Sequence, residues 1–421
     1  MRMLVINAGS SSLKFTVFDF SWMGRQTVLA TGQVECLGLP MSYFIYQKSG
    51  HTKSKTELEV VGERQDRGDY FNHTDAMKVV CDKLLDPEEG IIKNIKDIIA
   101  IGHRAVHGGE KITKPVIIDE KVKDIIRECI SLAPIHNPAN LAGIEACEKF
   151  FPGVPNVAVF DTAFHQTMPP ESYLYAIPYE LYKKYGIRKY GFHGTSHHYV
   201  AKATANFLRM PFEELKLITC HLGNGCSIAA INNGKVIDTS MGMTPLEGLV
   251  MGTRSGDVDP AIVLALIDRG MSPQEVDNML NKKSGLLGVA GINSGDMREV
   301  IEAGEKGNLQ AALALKLFVS RIVKYIGAYY AELNGADAIV FTGGIGENSC
   351  VIRAKIVEQI SAFFVHLDSS MNANSVGVPA IISTKESKMK VVVMPTNEEL
   401  MIATQSIDLL LSEGRLKLVA V

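Results

Sequence analysis

Residues 217–239 read LITCHLGNGCSIAAINNGKVIDT. Leu217–Cys220 is a strand-type apolar run, His221–Gly225 a glycine-rich turn, and Ser227–Ile231 a returning strand. Asn233-Gly234 suits a two-residue turn with positive φ at both positions, and so predicts a further hairpin into Lys235–Thr239. The N-terminus has a similar order of residue types: an apolar run Met3–Ile6, a Gly/Ser-rich stretch Asn7–Ser12, and an alternating run Leu13–Phe20. We expect a hairpin there with an oversized connection. Two such hairpins, more than 200 residues apart, predict a duplicated domain. Each copy would present one phosphate-cradling turn to a shared cleft.

Outward from these hairpins the pattern alternates between strands and helices. Ala76, Val79, Val80 and Leu84 recur at helical spacing, as do Val122, Ile125, Ile126, Cys129 and Ile130 behind the acidic start Asp119-Glu120. A helix is expected from about Asn140 to Phe151, followed by a strand Val157–Phe160 that ends at Asp161. The longest expected helix runs from Leu309 to Leu333 and stops at Asn334-Gly335. Behind it come a strand Ala338–Phe341, a turn Gly343–Gly346 and a helix Cys350–Ile360. The polar stretch from Met41 to Asn72 reads as peripheral strands or a surface insertion. The fold class is α/β.

Composition narrows the function. The chain has 421 residues, 46% hydrophobic and 21% charged, with 43 basic and 46 acidic side chains. A net charge of −3 gives no electrostatic footprint for nucleic acid. No apolar run approaches the roughly 18–20 residues of a membrane span, and the first ten residues lack a signal-peptide core. Seven cysteines without a CxxC pair fit reduced thiols and a cytoplasmic location.

Several segments could carry chemistry. Asn7–Lys14 offers backbone N–H groups, serine hydroxyls and one lysine, the donors a phosphate chain takes, although GxxxxGK[ST] is absent and a plain flexible turn has the same composition. His221–Gly225 and Gly343–Asn348 follow short strands, and the second opens a helix whose free N–H groups favour an anion. Tight packing at a strand end is the alternative for either one alone. Arg104 and Arg254 are framed by small residues that let a phosphate or carboxylate approach a guanidinium fork. His193 and His197, and His103 and His107, stand four apart, but HExxH is missing and Gly194-Thr195-Ser196 makes a poor helix interior. His193 therefore reads as a hydrogen-bond donor in a polar cleft, with His197 or His198 starting a helix. Asp161, at the end of a strand, is either a Mg2+ ligand or positioning group, or a helix cap. Glu398 and Glu399 follow a buried strand, Val391–Met394, and read as Mg2+ holders or capping residues.

Taken together the motifs resemble the acetokinase family of short-chain carboxylate kinases. The resemblance rests on Val5–Lys14, Ala133-Pro134-Ile135-His136-Asn137-Pro138, Phe160-Asp161-Thr162-Ala163-Phe164-His165 and Tyr190–His197, and continues through Gly252–Asp257, Gly343–Asn348 and Asn397-Glu398-Glu399. It implies duplicated actin/hexokinase/Hsp70-like (ribonuclease H-like) domains flanking a nucleotide cleft. Residues 1–160 with 399–421 would form one domain, and 161–398 the second, carrying most of the nucleotide site. By the same resemblance Asn7 and Glu398 bind Mg2+, with Mn2+ as a substitute. Lys14 and Ser12 sit by the phosphates, and Asp161, His193, Arg104 and Arg254 are catalytic. His221, Leu222, Gly223, Asn224, Gly225, Asp296, Met297, Arg298, Gly344, Ile345, Gly346, Glu347 and Asn348 take the nucleotide. Arg104, Val106, Ile135, Phe192 and Pro245 hold the carboxylate substrate. A homodimer is implied as well.

The expected reaction moves the γ-phosphoryl group of ATP to acetate by direct in-line transfer, with propionate as the alternative acceptor. Both reactants are anions, so the arginines, His193 and the metal must suppress repulsion. A carboxylate is already ionised at neutral pH, so Asp161 is expected to orient rather than to accept a proton. The two domains are expected to close on the nucleotide and exclude water. A nucleotide-gated conformational ATPase on the same fold, a kinase for sugars, polyphosphate or pyrophosphate, and a metal hydrolase built on the HxxxH pairs are the rival readings.

Overall fold

The computed structural model describes residues 1–20, 26–60 and 69–416. The chain divides into two compact units, Met1–Ala163 with Glu398–Val421, and Phe164–Asn397.

The first unit is built on an eight-stranded sheet of β1 (Arg2–Gly9), β2 (Ser12–Phe20), β3 (Gln26–Glu35), β4 (Ser42–Lys48), β5 (Ser54–Leu58), β6 (Ile98–Ala105), β7 (Val116–Ile117) and β8 (Asn156–Phe160). Its order is β5-β4-β3-β2-β1-β6-β8-β7. β1 to β5 form an antiparallel meander, whereas β6 and β8 run parallel to β1. β1 is buried on both faces because its alternate residues serve different layers. Leu4, Ile6 and Ala8 join Leu13, Phe15 and Val17 beneath the helices His73–Leu84 and Asn137–Phe150. Met3 and Val5 meet Ile402, Ala403, Ile407 and Leu410 of the helix Glu398–Ser412. That helix lies close to the sheet because Gly102 has no side chain; a Cβ there would stand 2.8 Å from Ile402 Cγ2 and 3.0 Å from Ser406 Oγ.

The second unit holds six strands: β9 (Lys216–Leu222), β10 (Cys226–Asn232), β11 (Lys235–Thr239), β12 (Ala338–Thr342), β13 (Ala380–Ile381) and β14 (Lys390–Val393). Their order is β11-β10-β9-β12-β14-β13. β9, β10 and β11 are antiparallel, and β12 and β14 run parallel to β9 and to each other. The same order and directions hold for β3-β2-β1-β6-β8, so the duplication expected from the two hairpins is present as a repeated ribonuclease H-like sheet. Asn233 and Gly234 have φ of 52° and 77°, the positive pair that their sequence predicts. Leu217, Ala229, Ile231, Val340 and Val392 pack with Val200, Ala201 and Ala205 of the helix Gly194–Leu208.

Local boundaries differ from expectation in four places. The β1–β2 connection is two residues, not an oversized loop, because the ladder continues to Gly9↔Ser12. Ala8 keeps β1 extended there: it is buried against Gly143, and its carbonyl accepts from Asn140 Nδ2 at 2.8 Å. The β9–β10 turn likewise shrinks to 223–225, since Leu222 pairs Cys226. Gly343–Asn348 is a short helix rather than a turn, closed by Glu347 Oε1 accepting from Gly343 N at 2.9 Å. The helix expected from Asn140 starts at Asn137, with Pro138 in its first turn, where a missing N–H costs nothing. Of the stretch 41–72, β4 and β5 are peripheral strands, and 61–68 lie outside the described residues.

Removing the buried part of Ile402, which is 1% exposed, should lower stability by about 2–5 kcal/mol. Urea unfolding of Ile402→Ala checks this; an unchanged midpoint would mean that the helix Glu398–Ser412 does not hold the first unit together.

Candidate active site

In the first unit the C-terminal ends of the parallel strands gather charge. Arg104 is the penultimate residue of β6, and Asp161 follows β8 directly. The guanidinium donates to Asp161 through Nη2 at 2.6 Å and Nε at 3.1 Å, and Nη1 donates to Asn7 Oδ1 at 3.3 Å. Glu398, the first residue of its helix, stands 4.0 Å from Arg104 Nε. Lys14 faces Asn7 in the β1–β2 register and is exposed. Burial opposes the charge of Arg104, but Asp161 and Glu398 outweigh it and hold the guanidinium above its usual range. Glu398 is pushed up to about 7, chiefly by burial, with Asp161 and Glu399 adding to the rise while Arg104 and Lys14 oppose it.

The surrounding loop is fixed by two asparagines. Asn137 Oδ1 accepts from His107 N and its Nδ2 donates to His107 O, while Asn140 Oδ1 accepts from Val106 N at 3.0 Å. Asn140 was not visible as a site residue, because its partners lie 34 and 132 residues away in the chain. Val106 is buried, Ser12 half-buried, and Ile135 is 55% exposed. His103 ends within β6 with its ring on Asn156 Oδ1, and burial lowers both His103 and His107 to about 4. That pair is therefore on a strand and the loop behind it, not on one helix face. Among the described residues no group of three or more His, Cys, Asp or Glu side chains is placed to hold a metal ion.

In the second unit His193 has φ 56° and ψ 23° and caps the helix Gly194–Leu208. The helix starts one residue after it, so Gly194-Thr195-Ser196 is a first turn, and the expected start at His197 or His198 is corrected. His193 Nδ1 shares a hydrogen bond with Ser227 Oγ at 2.9 Å, and its ring stacks on His221 at 4.3 Å between centroids. His221 Nδ1 in turn meets Ser196 Oγ at 2.8 Å. A Cβ on Gly225 would stand 3.3 Å from the His193 ring and 3.5 Å from Arg254 Nη1, so both approach that glycine. Arg254 donates to Pro245 O at 3.3 Å and lies against Met251 Sδ; among the described residues it has no carboxylate partner. Burial lowers it from the ordinary guanidinium value. Phe192 is buried with its carbonyl on His165 Nε2.

Gly223, Asn224, Asp296, Met297, Arg298, Gly344, Ile345 and Asn348 line one cavity of about 620 Å³. Thr253, Gly295 and Ser349 complete it and were not singled out in the sequence. Asp296 caps the helix Met297–Glu305; the Arg298 guanidinium and N–H hold its carboxyl at about 2. Leu222 is buried, and Gly346 and Glu347 are turned to structural partners: Glu347 Oε1 also accepts from Thr396 N, and both carbonyls accept from Arg353. Arg353, fully buried, also donates to Asn372 and Ser375, and so pins the Gly343–Asn348 helix from behind. An isolated arginine in a helical stretch carried no signal for this role. Cys226, beside the β9–β10 turn, is buried and pushed up to about 12, an inert thiol.

The rise at Glu398 has a stability consequence with a definite sign. Folding moves its pKa from 4.5 to about 7, so the native state holds that proton more tightly and stability falls as pH rises through this interval. Glu398→Gln should therefore melt higher than the parent at pH 8, with the gap narrowing toward pH 5. Thermal melts at the two pH values check it, and a gap independent of pH would refute the assignment.

The profile of the Acetokinase family matches residues 2–404. An acetate kinase of Desulfitobacterium hafniense is 52% identical over 411 residues, covering 97% of this chain and 99% of that protein. One from Carboxydothermus hydrogenoformans is 51% identical over 414 residues, covering 98% and 100%. Among solved structures, acetate kinase of Porphyromonas gingivalis superposes with a TM-score of 0.90 at 45% identity, covering 97% and 99% of the two chains. A propionate kinase of Francisella tularensis superposes with a TM-score of 0.86 at 43% identity, covering 96% and 98%. With end-to-end similarity of sequence and fold behind it, this chain belongs to the acetokinase family.

Proposed function

We propose that this chain transfers the γ-phosphoryl group of ATP to acetate, forming acetyl phosphate and ADP. The observation that carries the reading is Arg254, a half-buried guanidinium with no carboxylate partner among the described residues, beside His193 at the Gly225 turn. A cation buried without a counter-charge is a site prepared for an anion. In this reading Arg254 and His193 donate to the phosphoryl oxygens, and Arg104 neutralises the approaching carboxylate. Val106, Ile135, Phe192 and Pro245 take the methyl group. The 620 Å³ cavity holds the nucleotide against Gly223–Asn224 and Gly344–Ile345, with Lys14 and Ser12 by the phosphates and the remaining residues of the two glycine turns shaping it.

Asp161 has the geometry of an orienting group, since it grips Arg104 through two guanidinium nitrogens. Acetate is already ionised, and nothing need remove a proton. Oxygen donors suit Mg2+, which keeps several waters and uses one or two carboxylates, with Mn2+ as a substitute. Glu398, 4.0 Å from Arg104 Nε, and Asn7, whose Oδ1 accepts from Arg104 Nη1 at 3.3 Å, are the residues that would hold the ion. When bound, it would neutralise phosphate charge. Asp161→Asn should lose activity by about 100-fold or more, with a pH–rate profile of the same shape as the parent's between pH 5 and 8. Activity recovered at high pH would mark Asp161 as a base instead.

We also propose a cytoplasmic homodimer. No helix among the described residues is long and apolar enough to cross a membrane, and the seven cysteines are unpaired. The helix Pro260–Asp268 reads PAIVLALID yet buries none of its residues, leaving Ile262 45% and Leu264 64% exposed. A second copy is the partner that would cover such a face. Sedimentation should show a dimer in the parent and a monomer in Leu264→Asp.

Hydroxylamine trapping with Mg-ATP and acetate, propionate, butyrate or no acid tests the activity. Hydroxamate is expected from acetate, with propionate weaker because one methylene is worth only about 1–3 kcal/mol. ADP without hydroxamate in every tube would replace the kinase with an ATPase module.

A further inference from the structure

Ser227 on β10 is fully buried, and its hydroxyl is shared by two imidazoles, His193 Nδ1 at 2.9 Å and His197 Nε2 at 2.8 Å. His197 is also fully buried, and its Nδ1 meets Thr219 Oγ1 on β9 at 2.7 Å. The register explains the alignment: Thr219 pairs Ala229 and His221 pairs Ser227, so Thr219 and Ser227 project from one face of the β9–β10 ribbon. A chain of four side chains therefore runs from Thr219 through His197 and Ser227 to His193.

Each hydroxyl carries one proton, which restricts how the chain can be wired. In one direction Thr219 donates to His197 Nδ1, His197 Nε2–H donates to Ser227, and Ser227 donates to His193 Nδ1. Every hydroxyl and His197 proton then has an acceptor within the chain, and the remaining proton lies on His193 Nε2. In the reverse direction Thr219 only accepts, and its own proton is stranded, because His197 is the one hydrogen-bond partner of Thr219 Oγ1 among the described residues. If both rings donate to Ser227, the serine proton is stranded instead. Burying a hydroxyl donor with no acceptor is unfavourable, because its hydrogen bond to water is lost and not replaced. A doubly protonated His197 is disfavoured by complete burial, which lowers it well below the usual imidazole value, with His165 and His221 adding to the effect.

We propose that Thr219, acting through His197 and Ser227, fixes His193 in the neutral tautomer that carries its proton on Nε2. That tautomer places the proton of His193 on the nitrogen that would donate to the phosphoryl group. Thr219, His197 and Ser227 are positioning residues, and their effect on rate rests on the phosphoryl-transfer reading of His193 above.

The test reads the ring directly. In the full chain with 15N-labelled histidine, and with the His193 signals assigned by difference from His193→Gln, the proton should sit on Nε2. Ser227→Ala and Thr219→Val should give mixed His193 tautomers and a kcat lower by on the order of tenfold, with KM for acetate and ATP within about twofold of the parent. Ser227→Thr, which keeps the hydroxyl, should retain both properties. A wild-type His193 protonated on Nδ1 would overturn the proposal, even if a variant failed to fold. So would an unchanged kcat and spectrum in both deletion variants. A parent that gives no hydroxamate but shows the Nε2 tautomer would remove the catalytic reading alone and leave the wiring established.

Discussion

Parallel strand pairing is the constraint on which both halves of the chemistry depend. β6 and β8 run in the direction of β1, and β12 and β14 in the direction of β9. Parallel neighbours finish at the same edge, so residues far apart in sequence arrive at one rim with their backbones already satisfied. Asn7, Arg104 and Asp161 meet there in the first unit, and His221 with Gly343–Asn348 in the second. Thr342 pairing His221 brings the two glycine-containing turns side by side, which is why one cavity draws on both.

The two arginines are placed to opposite electrical ends. Arg104 is over-supplied with carboxylates: Asp161, Glu398 and Glu399 act on it against one further cation, Lys14, in the same neighbourhood. Arg254 has none among the described residues. The first guanidinium is neutralised by its own neighbours, whereas the second keeps its charge available to an anion.

Much of this was legible in the sequence where the signal is local. Asn233-Gly234 dictates its turn through positive φ, the long helix stops where Asn334-Gly335 ends it, and the repeated hairpin pattern revealed the duplication. The errors came from interactions over distance. Gly9 and Leu222 look like turn residues, but ladder pairing with Ser12 and Cys226 keeps them in strands. Gly343–Asn348 looks too glycine-rich for a helix until Glu347 and Arg353 bind its two ends. Ser227 and Thr219 are ordinary strand residues by composition. Their importance lies in facing His197, 30 and 22 residues away.

The helix Glu398–Ser412 packs beneath β1 and β6, yet it is separated from them in the chain by the whole of Phe164–Asn397. On a ribosome the strands of the first unit emerge early and must wait, with Met3, Val5 and Phe18 uncovered on one side, until more than 230 residues have followed. The inserted unit is continuous and has no such delay, so it can fold while synthesis is still under way. Glu398 is the first residue of that helix, so the charge cluster around Arg104 is finished only when the helix docks. A nascent chain stalled before Glu398 would carry the arginine and the strands but lack the carboxylate that completes the cluster.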